Sequence, residues 1–213
     1  MPFGVRAWHR VAKGGFMRTF GLLGWLILPV LVGAYHYGPG QEKLQLDDVS
    51  RILAEADRLT TQEKWSEASS QYEKALALLP AGRVDEARRV RLQRAKVQML
   101  NRQLPEASTA LKELVDQIEA DKAADPKLRD DARKALANSQ YYMTWLMRLE
   151  GLGADEWEPE VESARQTYRM LAEQAEERGD KASADKHRED LESTIRLSRM
   201  DLAQLQGLDL PKQ

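Results

Sequence analysis

Residues 65–80 read WSEASSQYEKALALLP, and the spacing of a few residues in this stretch decides the fold. Ala68 and Ala75 are seven residues apart, about two turns of an α-helix, so both lie on one face. Tyr72 stands between them on the same face, because residues four apart are neighbours along a helix. Pro80 lacks the amide hydrogen that a continuing helix needs, so the helix is expected to end just before it. Since small side chains let a second helix approach closely, the stretch predicts a short helix packed against a neighbour.

The same spacing occurs twice more along the chain. In LPEASTALKEL, Ala107 lies 39 residues after Ala68, and leucines follow it at the same offsets of four and seven. In ESARQTYRMLAEQA, Ala164 and Tyr168 repeat the first two positions. In the first two cases another alanine precedes the pattern by twelve residues. The residues predicted to pack between helices are Ala56, Ala68, Tyr72, Ala75, Pro80, Ala95, Ala107, Leu111, Leu114, Ala164 and Tyr168.

These positions resemble those of the tetratricopeptide repeat (TPR), a helix–turn–helix unit of about 34 residues. The resemblance implies that the small residues let the two helices of a unit pack closely. It also implies that the aromatic residue and the second alanine contact the next unit, and that the proline ends the second helix. The resemblance covers residues 47–206, and the alternative is a generic helical bundle with alanine-rich seams.

The rest of the chain reads as helices joined by short turns, with no strand pattern. Apolar periodicity, proline and capping residues predict helices over residues 47–61, 65–79, 84–101, 105–124, 126–150, 159–179 and 180–206. We therefore predict an all-α fold, with a TPR-like α-solenoid of about three helix pairs and a C-terminal capping helix. Residues 207–213 would form a tail.

The N-terminal region has a different composition. Its first eighteen residues contain four basic residues and no acid, and residues 20–37, FGLLGWLILPVLVGAYHY, contain no charged residue. About 20 apolar residues cross a bilayer, so these predict a transmembrane helix, preceded by a basic cytoplasmic leader, 1–19, and followed by a linker, 38–46. The positive-inside rule puts the repeat domain outside the inner membrane, in the periplasm of a bacterial envelope. The alternative is a signal peptide cleaved after Ala34.

No residue pattern indicates catalysis. The chain has no cysteine and three histidines, none at metal-ligand spacing, and we find no phosphate-binding loop or nucleophile elbow. We therefore expect no enzyme, no cofactor and no metal site, and His187, in the charged run KHRED, is predicted to lie on a helix surface. Carboxylates in DEWEPE, residues 155–160, are typical of a helix N-terminus rather than of a calcium loop. The formal net charge of −2 does not favour nucleic-acid binding.

Stacked helix pairs present a concave surface that suits a protein segment. The candidate partner-binding residues are Arg89, Gln93, Lys96, Asn138, Tyr141 and Trp145. Alternatively, the aromatic stripe YYMTWLM, residues 141–147, is part of the core. The alternative for the polar residues is that they form a solvated helix face.

The predicted function is that of a membrane-tethered scaffold or adaptor, which binds a protein partner on its concave surface and the membrane through residues 20–37. Two alternatives stay open: a structural subunit of a larger envelope complex, and a secreted helical-repeat protein if the first 34 residues are a signal peptide. The partner, the process and the oligomeric state are open as well.

Overall fold

A computed structural model describes residues 39–207, with side chains from residue 42 onward. Over this range the chain is helical and contains no strand, so the prediction of an all-α fold is confirmed there. The helices are α1 (Pro39–Thr61), α2 (Trp65–Leu78), α3 (Val84–Leu100), α4 (Leu104–Ala120), α5 (Pro126–Leu149), α6 (Ala154–Glu177), α7 (Lys181–Arg199) and α8 (Leu202–Gln206).

The predicted leader and transmembrane segment lie outside the described residues, as does the tail after Gly207. Within residues 39–207, no helix combines the length and the apolar character that a bilayer span requires. The chain divides into two compact units between Asp47 and Asp48, and all the packing discussed below belongs to the second unit.

Helix α1 begins at Pro39, so the stretch predicted to be a linker is helical from that residue onward. Proline is tolerated in the first helical turn, where its missing amide hydrogen would have had no partner. After Gly40, residues 41–46, QEKLQL, have a good intrinsic helix propensity. The prediction of a helix start at Asp47 was wrong. It relied on the capping aspartate, although Pro39 is also a signal for a helix start.

Helix α6 begins at Ala154 and contains Pro159, so the prediction that it starts at Pro159 was wrong. Its first turn carries Asp155 and Glu156, which the positive end of the helix dipole stabilises. Pro159 is only the sixth residue of the helix, so little of the hydrogen-bond ladder precedes it.

The C-terminal helix predicted over residues 180–206 is two helices. Met200 leaves the helix with an extended backbone, and Asp201 then caps α8 by accepting a hydrogen bond from the Gln204 amide. The Gln204 side chain accepts in return from the Asp201 amide, which completes a capping box. This local start signal separates α8 from α7.

Consecutive helices from α2 to α7 pack against each other, and α3 also contacts α5. Helix α1 shares an apolar cluster with α2 through Val49, Ala56 and Leu59. Among the residues predicted to pack between helices, Pro80 is half-buried just beyond the end of α2. The other ten are at most 3% exposed: Ala56, Ala68, Tyr72, Ala75, Ala95, Ala107, Leu111, Leu114, Ala164 and Tyr168.

Tyr72 adds a polar link between the first two helices. Its hydroxyl donates to Oδ1 of Asp57 at 2.6 Å, while its ring lies in the cluster with Ala56 and Ala68. Burial, and then the hydrogen bond to Asp57, raise the pKa of Tyr72 to about 12. The hydroxyl is therefore a proton donor at neutral pH and fixes the position of α2 on α1.

The turns after α1, α3, α5 and α6 share one geometry. One residue in each has a positive φ: Glu63, Arg102, Gly151 and Gly179, respectively. The following amide donates to the carbonyl five residues back, as from Gln103 to Gln98 at 2.9 Å. This is the Schellman arrangement that ends a helix, and its recurrence gives the array a repeat-like character. Because Glu63 and Arg102 are not glycines, residue type alone did not indicate the geometry.

Candidate partner-binding cleft

Helices α3, α5 and α7 line a cleft of about 530 Å³, and α6 contributes one tyrosine to it. Helices α3 and α5 contact each other directly, and α6 packs between α5 and α7. Alternate helices of the array therefore supply the walls, as expected for the inner surface of stacked helix pairs. The lining residues are Lys96, Met99, Leu100, Asp131, Lys134, Ala135, Asn138, Tyr142, Tyr168, Lys186 and Asp190.

The polar lining carries three lysines, one from each of the three helices, and two aspartates, Asp131 and Asp190. In the part of the chain with described side chains, neither Lys96 nor Lys134 forms an ion pair with a carboxylate. The cleft therefore has a small positive excess, with ammonium groups that are available to a ligand.

Lys96 is the residue with the most perturbed environment among these lysines. Burial lowers the pKa of its ammonium group, Asp131 partly opposes this effect, and the nearby charge of Lys134 adds to it. A half-buried ammonium without a close counter-ion is poorly stabilised. A carboxylate or backbone carbonyl from a bound segment would relieve that cost, so Lys96 is suited to contact a ligand.

Two tyrosines form the aromatic part of the cleft. Burial raises the pKa of Tyr142 and of Tyr168, and the negative charge of Asp190 raises both further. The rings of Tyr141 and Tyr142 meet edge to face, with centroids 5.4 Å apart and planes at 80°. Both cleft hydroxyls remain protonated at neutral pH and offer hydrogen bonds beside an apolar ring surface.

His187 lies on α7 next to the cleft. The prediction that it is a surface residue was wrong, since its side chain is only 11% exposed. Its Nδ1 is 3.9 Å from Oδ2 of Asp190, too far for a hydrogen bond, and has no other partner. Burial and then Lys134 lower the pKa of His187.

The six predicted partner-binding residues fall in three places. Lys96 and Asn138 both line the cleft. Arg89 and Gln93 are exposed on α3 outside it, and Arg89 forms an ion pair with Asp125 at 2.9 Å. Tyr141 and Trp145 pack together with Leu197 and Leu205, and Trp145 is 8% exposed.

Sequence reasoning missed the cleft residues Asp131, Lys134, Tyr142, Lys186 and Asp190. A signal was present, because Asp131, Lys134 and Asn138 follow the three- and four-residue spacing of one helix face. Lys186 and Asp190 are also one turn apart. This pattern is common on solvated surfaces, so it became informative only once the helices were placed side by side.

The chain matches no protein-family model and no curated protein. Within residues 39–207, no group of three or more histidine, aspartate or glutamate side chains is placed to hold a metal ion. The cleft offers hydrogen bonds, charge and apolar surface, which are the means of binding a protein segment.

Proposed function

We propose that this protein is a non-catalytic interaction module, anchored in the inner membrane, in which TPR-like helix pairs bind a segment of a partner protein. The observation that carries the proposal is the cleft between α3, α5 and α7, where charged and aromatic side chains of alternate helices converge. Lys96 and Lys134 would pair with carboxylates of the segment, while Asn138 would bond its backbone. The tyrosine rings would cover its apolar side chains.

The anchoring part of the proposal rests on the sequence of residues 1–37. Basic residues precede an uncharged segment of bilayer length, which favours a cytoplasmic N-terminus and a periplasmic helical domain. Attachment to the membrane would raise the effective concentration of the cleft towards other envelope proteins, so weak contacts would suffice for binding.

The distribution of apolar side chains supports a transient partner over a permanent one. Among the described residues, the exposed large hydrophobics are Leu44, Leu78, Val84 and Leu202, and none lines the cleft. Permanent interfaces bury larger and more apolar surfaces than this cleft offers. A structural subunit with a fixed partner is therefore the less favoured role.

The test is affinity capture of partners from detergent-solubilised membranes by the full-length protein. Lys96→Glu places a second carboxylate beside Asp131, where it would repel carboxylates of the bound segment. We expect at least a tenfold loss of the captured protein, because reversing the charge at a desolvated ion-pair contact costs more than about 2 kcal/mol. Lys74→Glu makes the same charge change at an exposed site on α2 and should leave capture unchanged. Identical captured proteins with Lys96→Glu and wild type would refute binding in the cleft.

A further inference from the structure

The boundary between α7 and α8 interrupts a helical pattern that continues in the sequence. Four apolar residues, spaced four, seven and three apart, would lie on one face of a continuous helix: Leu191, Ile195, Leu202 and Leu205. The backbone nevertheless leaves the helix at Met200, and α8 packs on α5. The sequence is therefore compatible with two arrangements, a continuous helix and the bent form that the structure shows.

The bend breaks the hydrogen-bond ladder of the helix, and side chains replace two of its bonds. In a continuous helix the Leu197 carbonyl would accept from the Asp201 amide, and the Met200 carbonyl from the Gln204 amide in the same way. In the structure both carbonyls accept from the Arg148 guanidinium instead. The Asp201 amide donates to Oε1 of Gln204 at 3.0 Å, and the Gln204 amide donates to Oδ1 of Asp201 at 2.7 Å. All four of these backbone groups thus have a partner in the bent form.

Arg148 is the residue that holds the bend. It lies in the last turn of α5, at the C-terminal end of α7, where the negative end of the helix dipole favours a cation. Its guanidinium carbon is also 4.6 Å from the centroid of the Trp157 ring of α6. Removing the guanidinium would take two donors from the bent form only, because backbone amides would supply both bonds in a continuous helix.

Helix α8 is held in place by few contacts. Its five residues include one buried side chain, Leu205, which packs with Trp145 and Leu197. Leu202, also on α8, is 47% exposed. A cavity of about 720 Å³, lined by residues of both helices, opens between α7 and α8. Helix α8 is therefore a small cover, and the packing of α7 on α6 does not depend on it.

We propose that the apolar site under α8 is an interaction surface for a second copy of this protein, which forms by exchange of α8. We call this site, formed by Trp145 and Leu197, the Trp145 site. When Arg148 releases the end of α7, α7 and α8 join as one helix and the Trp145 site is uncovered. The α8 segment of each copy then fills the Trp145 site of the other, and Leu205 makes the same contacts between copies as within one.

The structure identifies the occupant of the Trp145 site, because α8 itself fills it. A continuous helix would run past the end of α5, since Arg148, the last residue but one of α5, already contacts the end of α7. Leu202 and Leu205 would then lie beyond the described helices of their own copy. Exchange buries Leu205 again. The connection between α7 and α8 is only Met200 and Asp201, and short hinges of this kind favour exchange between copies.

The first test is sedimentation of the full-length protein in detergent micelles over a wide range of concentration. Arg148→Met removes both donors and keeps most of the length of the side chain. We expect it to raise the dimer association constant at least about tenfold over wild type, because only the bent monomer loses hydrogen bonds. Arg199→Met is the matched control, since Arg199 is exposed at the end of α7, and it should leave the association constant unchanged.

A distance measurement then shows whether the dimer forms by exchange. In the Arg148→Met background, one preparation carries Glu150→Cys and another carries Gln206→Cys, each labelled with a nitroxide. Both positions are exposed, and the chain has no other cysteine. Gln206 adjoins Leu205, and Glu150 ends α5. The mixed preparations should therefore show dipolar coupling between the two labels, because α8 of one copy lies on α5 of the other.

The proposal is overturned if Arg148→Met and wild type have the same association constant, or if Arg199→Met raises it equally. It is also overturned if the dimer shows no coupling between the two labels. Gln204→Ala removes the capping box at an exposed residue, away from Trp145, and decides the question if Arg148→Met does not fold. It should raise the association constant as well, and an unchanged constant would contradict exchange of α8.

Discussion

Ala107→Leu is expected to lower the free energy of unfolding by about 2–3 kcal/mol, the cost of inserting extra methylenes into a well-packed contact. Ala107 is fully buried in the cluster between α3, α4 and α5, together with Ala95 and Ala132. A larger side chain there must push the helices apart, because alanine is small enough to let them meet. Urea unfolding of the full chain, followed by circular dichroism, measures the change.

Ala110→Leu is the matched control, since Ala110 lies on the same helix and is exposed. The substitution adds the same atoms with no buried contact to disturb, so the change should stay within about 0.5 kcal/mol. Equal losses from both substitutions would mean that helix propensity, rather than packing at Ala107, governs stability.

Trp145→Ala should cost about 3–5 kcal/mol, the range for removing a large aromatic side chain from a core. The Trp145 ring packs against Leu197 at the end of α7 and Leu205 of α8, both at most 1% exposed. Its loss would leave a cavity where these helices meet α5. Hydrogen exchange of the amides near residues 197–205 should become faster. The midpoint of the urea unfolding transition should fall as well.

Trp157→Ala provides the comparison for Trp145→Ala. Trp157 is half-buried, with the Arg148 guanidinium carbon 4.6 Å from its ring centroid. We expect a loss of about 1 kcal/mol, because Trp157 is only half-buried and a partly exposed cation–π contact is worth little more. If Trp145→Ala instead left stability unchanged and abolished partner capture, Trp145 would be a binding residue that needs to be accessible.

Positions such as Ala68, Ala107 and Ala164 could be predicted because a buried helix contact restricts both residue size and spacing. These restrictions are local and appear in the sequence at a 3.6-residue period. All three residues are fully buried. The prediction of an all-helical chain rests on the same periodicity, because each of the predicted helices shows it separately.

The cleft was harder to predict, because its members come from helices that are distant in sequence. Tyr141 and Tyr142 are adjacent, yet only Tyr142 lines the cleft while Tyr141 joins the cluster around Trp145. Successive residues point about 100° apart on a helix, so a one-residue error changes the face. Lys134 and Lys186 carry no sequence signal that separates them from solvated lysines.

Helix ends were missed where two local signals competed. Pro159 predicts a helix start, but the acidic residues before it extend α6 towards the N-terminus. Asp201 interrupts a long apolar stripe through its capping box with Gln204.

The buried ion pair of Arg88 with Asp121, which joins α3 to the end of α4, could not be predicted either. In sequence, a buried arginine is indistinguishable from a surface arginine.

The central claim is that successive helix pairs stack in register, since the cleft exists only if they do. The chain has no cysteine, so a pair of introduced cysteines reports one distance. Ser108 of α4 and Ser139 of α5 have hydroxyl oxygens 3.4 Å apart, across the contact between successive pairs.

The decisive measurement is disulfide formation in the full-length Ser108→Cys/Ser139→Cys variant under mild oxidation. We predict complete cross-linking, because the two sulfurs would lie within reach of a disulfide bond. Ser108→Cys with Ser193→Cys, which places the second thiol on the exposed surface of α7, should stay reduced. Failure of the first variant to cross-link, or equal cross-linking of both, would contradict the stacking and with it the cleft.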